Sequence, residues 1–267
     1  PVATRTVTVT VSDNGNGTLN VQKTEGANGL TFTNKYVEGE TTLGVTKVLS
    51  GRGFKAGDAW TFTLAGGTVD TPMPAQTSVT TTATSGNSQS LTFGKIKYGL
   101  ADVGKTYTYT ITESGSREGV TNDPNNTRTV TVKVEKGSDG NLVVTKTEPT
   151  GGVSFTNTYS AAGETELKAE KQLVGREFRE GDKWTFTVTC DTQGAPLPEH
   201  PVITTSATSG NSETLDFGKI NYTLADVGTY VYTITESGSV ANVENDPVAT
   251  RTVTVTVSDN GNGTLNV

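Results

Sequence analysis

Three polar residues fall where the local pattern calls for apolar side chains. Residues two apart in a strand share a face. Leu43, Val45, Lys47 and Leu49 therefore point one way, as do Tyr107, Tyr109, Ile111 and Glu113, and Val153, Phe155 and Asn157. A lysine, a glutamate and an asparagine are thus directed inward from three different strands. Buried polar groups are costly unless they satisfy each other. Burial lowers the pKa of a lysine and raises that of a glutamate. A neutral amine is a nucleophile. A protonated carboxyl can hydrogen-bond the asparagine side-chain carbonyl, polarise it and shuttle protons. Attack of the amine on the amide, with loss of ammonia, would join lysine to asparagine, water exclusion and fixed geometry standing in for an external catalyst. The spacing leaves a second outcome open, a buried Lys–Glu ion pair hydrogen-bonded to the Asn with no covalent bond.

The elements that must position these groups are short strands, and they come in repeats. Leu167, Ala169, Lys171 and Leu173 repeat the first pattern, and Tyr230, Tyr232, Ile234 and Glu236 the second. Near the N-terminus, Leu30, Phe32 and Asn34 repeat the third. Pro1–Val21 recurs letter for letter as Pro247–Val267, and a looser repeat relates Lys47–Arg52 to Lys171–Arg176 and Tyr109–Ser116 to Tyr232–Ser239. This organisation predicts three pieces. Residues 1–36 are the C-terminal strands of a preceding domain, 41–159 a complete domain, and 165–267 a second domain lacking its last strand, whose missing piece resembles Gln22–Tyr36. Strands are expected near 42–50, 58–65, 77–83, 89–96, 105–113, 127–135, 141–146 and 152–158, with no helical period. The fold class is all-β: tandem immunoglobulin-like, Greek-key β-sandwiches. The short junctions 37–40 and 160–164 favour a stiff rod.

Composition narrows the function. The 267 residues are 32% hydrophobic, suited to thin sandwiches with one wet face per strand. A net charge of −7 argues against nucleic acid as a partner. No stretch is long and apolar enough to span a membrane, and no signal peptide is evident. Cys190 and His200 are each the only residue of their type, so neither an internal disulfide nor a transition-metal site is expected, and no cofactor is implied. Asp13-Asn-Gly-Asn-Gly17 and its copy at Asp259 read as hairpin turns ahead of calcium loops.

Four motifs in order, Lys47-x-Leu-x-Gly-Arg52-x-Phe54, Gly57-Asp58-x-Trp60-x-Phe62, Tyr107-x-Tyr109-x-Ile111-x-Glu113 and Phe155-x-Asn157-x-Tyr159, resemble the isopeptide-linkage domains of Gram-positive major pilins and surface-adhesin stalks. The resemblance covers the full domain and, in pieces, nearly all the chain. It implies a bond from Lys47 to Asn157 with Glu113 as the catalytic group. It also implies Lys171 with Glu236, joined to an Asn equivalent to Asn34. Neither a sortase-type Leu-Pro-X-Thr-Gly signal (Leu197-Pro-Glu is a superficial echo) nor a Tyr-Pro-Lys pilin motif is present, which favours the stalk of one long adhesin over a pilus shaft. The expectation is a structural repeat on the bacterial surface, anchored to the cell wall through a region outside these residues. It would be no enzyme beyond a single self-consuming turnover. Its partners would be adjacent repeats, with head-to-tail strand completion between copies. The alternative is a repeat that grips a host protein or glycan, with the segment Asp191–Val202 as its best candidate surface.

Overall fold

The computed structural model describes residues 3–267. Strands β1 (Val7–Asp13) and β2 (Leu19–Glu25) form an antiparallel hairpin that pairs with no other strand among the described residues. A nine-strand unit follows: β3 (Gly39–Ser50), β4 (Thr61–Gly66), β5 (Ser78–Thr80), β6 (Ser88–Tyr98), β7 (Thr106–Ser114), β8 (Val120–Thr121), β9 (Thr127–Lys136), β10 (Leu142–Thr147) and β11 (Ser154–Tyr159). A second unit contains β12 (Ala162–Gln172), β13 (Thr185–Cys190), β14 (Val202–Thr204), β15 (Ser212–Thr223), β16 (Gly228–Ser237), β17 (Thr250–Asp259) and β18 (Leu265–Asn266). Helical structure among the described residues is limited to the 3-10 turns Leu100–Asp102 and Leu224–Asp226.

Alternation of β-branched or aromatic with polar residues makes these strands. In β7 the buried positions are Tyr107, Tyr109, Ile111 and Glu113, and the threonines between them face outward or lie half-buried. The nine-strand unit is an immunoglobulin-like sandwich of a sheet ordered β10-β9-β7-β4-β5 and a sheet ordered β6-β3-β11-β8. Its core holds Trp60, Phe62, Phe93, Tyr109 and Phe155. β3 is central in one sheet and β7 in the other, so the faces of the first and middle strands meet across the core. The last strand, β11, runs parallel to β3, with Phe155 opposite Lys47 and Asn157 opposite Leu49. Gly51, at φ +88°, ends β3 against the Tyr159 carbonyl, where a Cβ would collide. The two-residue β8, unanticipated from sequence, caps the edge of β11.

The second unit repeats one sheet as β14-β13-β16-β17-β18, but the other contains only β12 and β15. A separate core forms around Trp184, Phe217 and Tyr232. Among the described residues no strand takes the place beside β12 that β11 takes beside β3, and the only pairing on that edge is a parallel bridge from Ala162 to Thr264.

The N-terminal segment differs from its repeat. Leu30, Phe32 and Asn34 do not lie inward on a last strand; residues 30–38 are irregular, and Phe32 and Tyr36 are 59% and 83% exposed. Among the described residues that segment pairs with no strand. The identical repeat makes the same point. Val9 and Val11 in β1 are 56% and 54% exposed, whereas their copies Val255 and Val257 in β17 are 9% and 2% exposed.

Candidate functional site

β3 carries Lys47 and β7 carries Glu113 to the middle of the sandwich. Lys47 Nζ lies 2.7 Å from Glu113 Oε1, with the side chains 0% and 1% exposed. Neither Nζ nor the two carboxylate oxygens has another polar partner among the described residues, so the buried pair has only itself. The Trp60 ring centroid is 4.9 Å from Nζ, which walls the amine off from water. Burial holds the Lys47 amine below the ordinary lysine range, and the opposing charges of Glu113 and Asp123 only partly restore it.

β11 brings Asn157, fully buried, to the same interior face. Asn157 Oδ1 accepts the Asp123 backbone N–H at 2.9 Å, and Asn157 Nδ2 donates to Asn122 Oδ1 at 2.9 Å. Asn122 has little choice of orientation. Its Nδ2 donates to the Gly115 carbonyl at 2.6 Å, and its Oδ1 also accepts Trp60 Nε1 at 3.3 Å. The acceptor oxygen is thus fixed toward Asn157, which in turn fixes which atom of the Asn157 amide is carbonyl and which is amine. The loop is tied down by Asp123, whose carboxylate takes Arg128 at 2.8 Å and the Thr156 N–H at 3.0 Å.

The structure therefore brings Lys47, Glu113 and Asn157 together from three strands. It differs from the sequence reading in what polarises the amide. The sequence reading assigns that role to the glutamate. Here the donor on the carbonyl is the Asp123 N–H, because the β8–β9 loop folds over β11. Asn122 and Asp123 escaped the sequence reading. Their signal was the recurrence of Asn122-Asp123-Pro124 as Asn245-Asp246-Pro247 ahead of matching strands. An amine, a carboxyl beside it and an amide with a donor on its carbonyl form a set suited to amide transfer.

The second unit holds the same set without its asparagine. Lys171 Nζ donates to Glu236 Oε1 at 2.6 Å, and these side chains are 10% and 12% exposed. Trp184 lies 4.6 Å from Nζ and donates Nε1 to Asn245 Oδ1 at 3.0 Å. Asn245 Nδ2 donates to the Gly238 carbonyl at 2.7 Å. Asn34 lies in the exposed irregular stretch and meets neither Lys171 nor Glu236.

The remaining singled-out residues serve the scaffold. Arg52 binds both carboxylate oxygens of Asp58, at 2.6 and 3.1 Å, and lies 4.9 Å over the Tyr159 ring. Arg176 binds Asp182 in the same way, at 2.6 and 3.0 Å. The Asp13 carboxylate accepts the Gly15 N–H at 2.8 Å, as Asp259 does for Gly261 at 2.8 Å, so both close hairpin turns. Cys190 is half-buried at the end of β13. In the segment Asp191–Val202, Glu199 and His200 tie back to the Lys219 and Phe217 carbonyls at 3.1 and 2.9 Å.

Residues 2–37, 43–160 and 167–267 match the FctA family, described as the Spy0128-like isopeptide containing domain. The chain belongs to that family. The FctA assignment gives it a structural role of the pilus type, at the cell surface. A search of curated proteins finds no match. Among solved structures, the chain is similar to the major pilin protein (T-13) from Streptococcus pyogenes, at 18% identity and a TM-score of 0.33, covering 77% of this chain and 85% of that one. It is also similar to another major pilin from Streptococcus pyogenes, at 14% identity and 0.28, covering 84% and 95%. The shaft pilin spaA from Lactobacillus rhamnosus GG aligns at 14% identity and 0.23, covering 84% and 97%. At these TM-scores the structural likenesses carry no weight of their own, and the FctA assignment rests on the family match.

Proposed function

We propose that Lys47 and Asn157 are joined by an isopeptide bond that forms without an external enzyme, and that the FctA chain is a stalk segment of a surface adhesin or pilus-like fibre. The observation that carries this reading is the buried Lys47–Glu113 ion pair, with no other polar partner, beside an amide whose carbonyl already has a donor. Buried, unsatisfied charges are costly. Transfer of one proton from Lys47 to Glu113 removes both charges and leaves a neutral amine. Nζ then attacks Cγ of Asn157, and the Asp123 N–H holds the developing negative charge on Oδ1. Glu113 carries a proton from Nζ to Nδ2, the Cγ–Nδ2 bond breaks, and ammonia leaves. Asn122 Oδ1 orients the departing nitrogen. Glu113 ends carrying the proton it took from Lys47, and the reaction occurs once per chain with no outside substrate.

The bond would link the first and last strands of the sandwich. Tension along the chain would then pass through a covalent bridge instead of peeling β11 from β3, so resistance to unfolding becomes kinetic. The test is the intact mass of the denatured chain. A deficit of about 17 Da, one ammonia, is expected. Glu113→Ala should restore the full mass. Full mass in the unsubstituted chain would remove the bond and leave a buried ion pair in its place.

A further inference from the structure

The inward face of β11 does not end with its own sandwich. Residues two apart share a face, so Tyr159 follows Phe155 and Asn157 on the buried side. The Tyr159 ring, 2% exposed, packs with Ala161 into the core of the second unit. Val120 on β8 is half-buried against both cores. The two units are therefore joined by packed side chains as well as by a peptide segment.

The turn between β17 and β18 closes over this end of the first unit. Tyr159 Oη donates to Asp259 Oδ1 at 2.6 Å, and the Gly263 N–H donates to Tyr159 Oη at 3.2 Å. The Ala162 N–H donates to the Gly263 carbonyl at 3.3 Å, and Ala162 bridges to Thr264. The Ser160 N–H donates to the Gly119 carbonyl at 2.9 Å. Gly119 and Gly263 then meet backbone to backbone. A Cβ on Gly119 would lie 2.5 Å from the Gly263 Cα and 2.7 Å from the Tyr159 ring, and one on Gly263 would lie 2.6 Å from the Gly119 Cα. The turn takes its shape from its own sequence. The identical residues Asp13–Thr18 make the same Asp-to-Gly and Asn-to-Thr hydrogen bonds, at 2.8 and 3.0 Å. A surface already shaped loses little conformational freedom on docking.

A short link fixes the distance between two domains but leaves their angle free. Relative motion is the ordinary condition unless a packed interface prevents it. We infer that Tyr159 is a latch: seated in the second core and bound to the Asp259–Gly263 turn, it locks the two units into one rigid body. The latch rests on these contacts and not on the Lys47–Asn157 bond. Its consequence for the proposed stalk is mechanical. Only Thr158 separates Tyr159 from Asn157, so tension leaving the bonded position would enter the second unit through the latch instead of a free linker.

The test reads the angle between the units as a distance distribution. Lys133→Cys in the first unit and Thr254→Cys in the second, both exposed positions, carry nitroxide spin labels, with Cys190→Ser in every sample. Double electron–electron resonance on this labelled parent should give one narrow distribution. Gly119→Ala should broaden it by wedging the two backbones apart. Gly140→Ala is the control. Gly140 also has a positive φ, +79° against +71° for Gly119, but nothing lies within 4 Å of its Cβ position, so backbone strain alone should leave the distribution narrow. Tyr159→Phe guards against a Gly119 variant that fails to fold. It keeps the ring in the second core, loses both hydroxyl hydrogen bonds, and should also broaden the distribution. A broad distribution in the labelled parent, a narrow one in either joint variant, or equal broadening with Gly140→Ala would overturn the latch. The mass deficit of the same samples reports the Lys47–Asn157 bond separately, so failure of the latch and failure of the bond are told apart.

Discussion

Asn157→Ala takes away the acceptor of the proposed bond while leaving the Lys47–Glu113 contact in place. Its effect has two parts that differ in size. The side chain makes two hydrogen bonds of 2.9 Å, worth about 1 kcal/mol each. The bond would enclose 157 − 47 = 110 residues. By the chain-entropy relation for a cross-link, closing a loop of that size stabilises by about 5 kcal/mol. Together these predict a loss of about 7 kcal/mol. For a unit of about 120 residues, at about 2.1 cal/mol/K per residue, the unfolding entropy is about 0.25 kcal/mol/K, so the midpoint should fall by about 28 °C. Differential scanning calorimetry on the two-unit chain measures this directly, and the transition of the second unit, whose Lys171–Glu236 pair is untouched, serves as the internal reference. A fall of only about 8 °C is the hydrogen-bond share alone. That result would refute the covalent reasoning, whatever the family resemblance.

Three further outcomes follow from the geometry. Asn122→Ala removes the acceptor that orients Asn157 Nδ2 and should slow bond formation after refolding on the order of 100-fold, read as the time course of the mass deficit. Burial lowers the Lys47 pKa from its ordinary 10.5, so in an unlinked Asn157→Ala chain the unfolded state takes up its proton first as the pH falls. The stability difference between that chain and Asn157→Ala/Lys47→Met should therefore narrow as the pH rises toward 10.5, as measured by urea unfolding at several pH values. Arg176 holds Asp182 at about 2 against an ordinary 3.8, so its contribution is full above about pH 4 and is lost as the pH falls toward 2. Asp182→Asn should flatten the acid-unfolding curve of the second unit over that range, followed by tryptophan fluorescence of Trp184.

Period-two alternation placed Lys47, Glu113 and Asn157 inward because every second side chain of a strand must face the core. That was legible without coordinates, and so were most strand positions, since β-branched runs between glycine turns leave few alternatives. The Asn122 and Asp123 contacts were not legible. They depend on how the β8–β9 loop crosses β11, and a loop's path is set by the sheets it joins, which no local pattern encodes. The duplicated hairpin separates the two kinds of information most clearly. The same residues make the same turn at Asp13 and at Asp259, closed by the same carboxylate-to-glycine hydrogen bond. Sequence determined that hairpin, because its bonds are local. Whether Val11 or its copy Val257 is buried was decided by tertiary structure alone, because burial requires a second surface. β17 has the rest of a sandwich to lie against, and β1 has none.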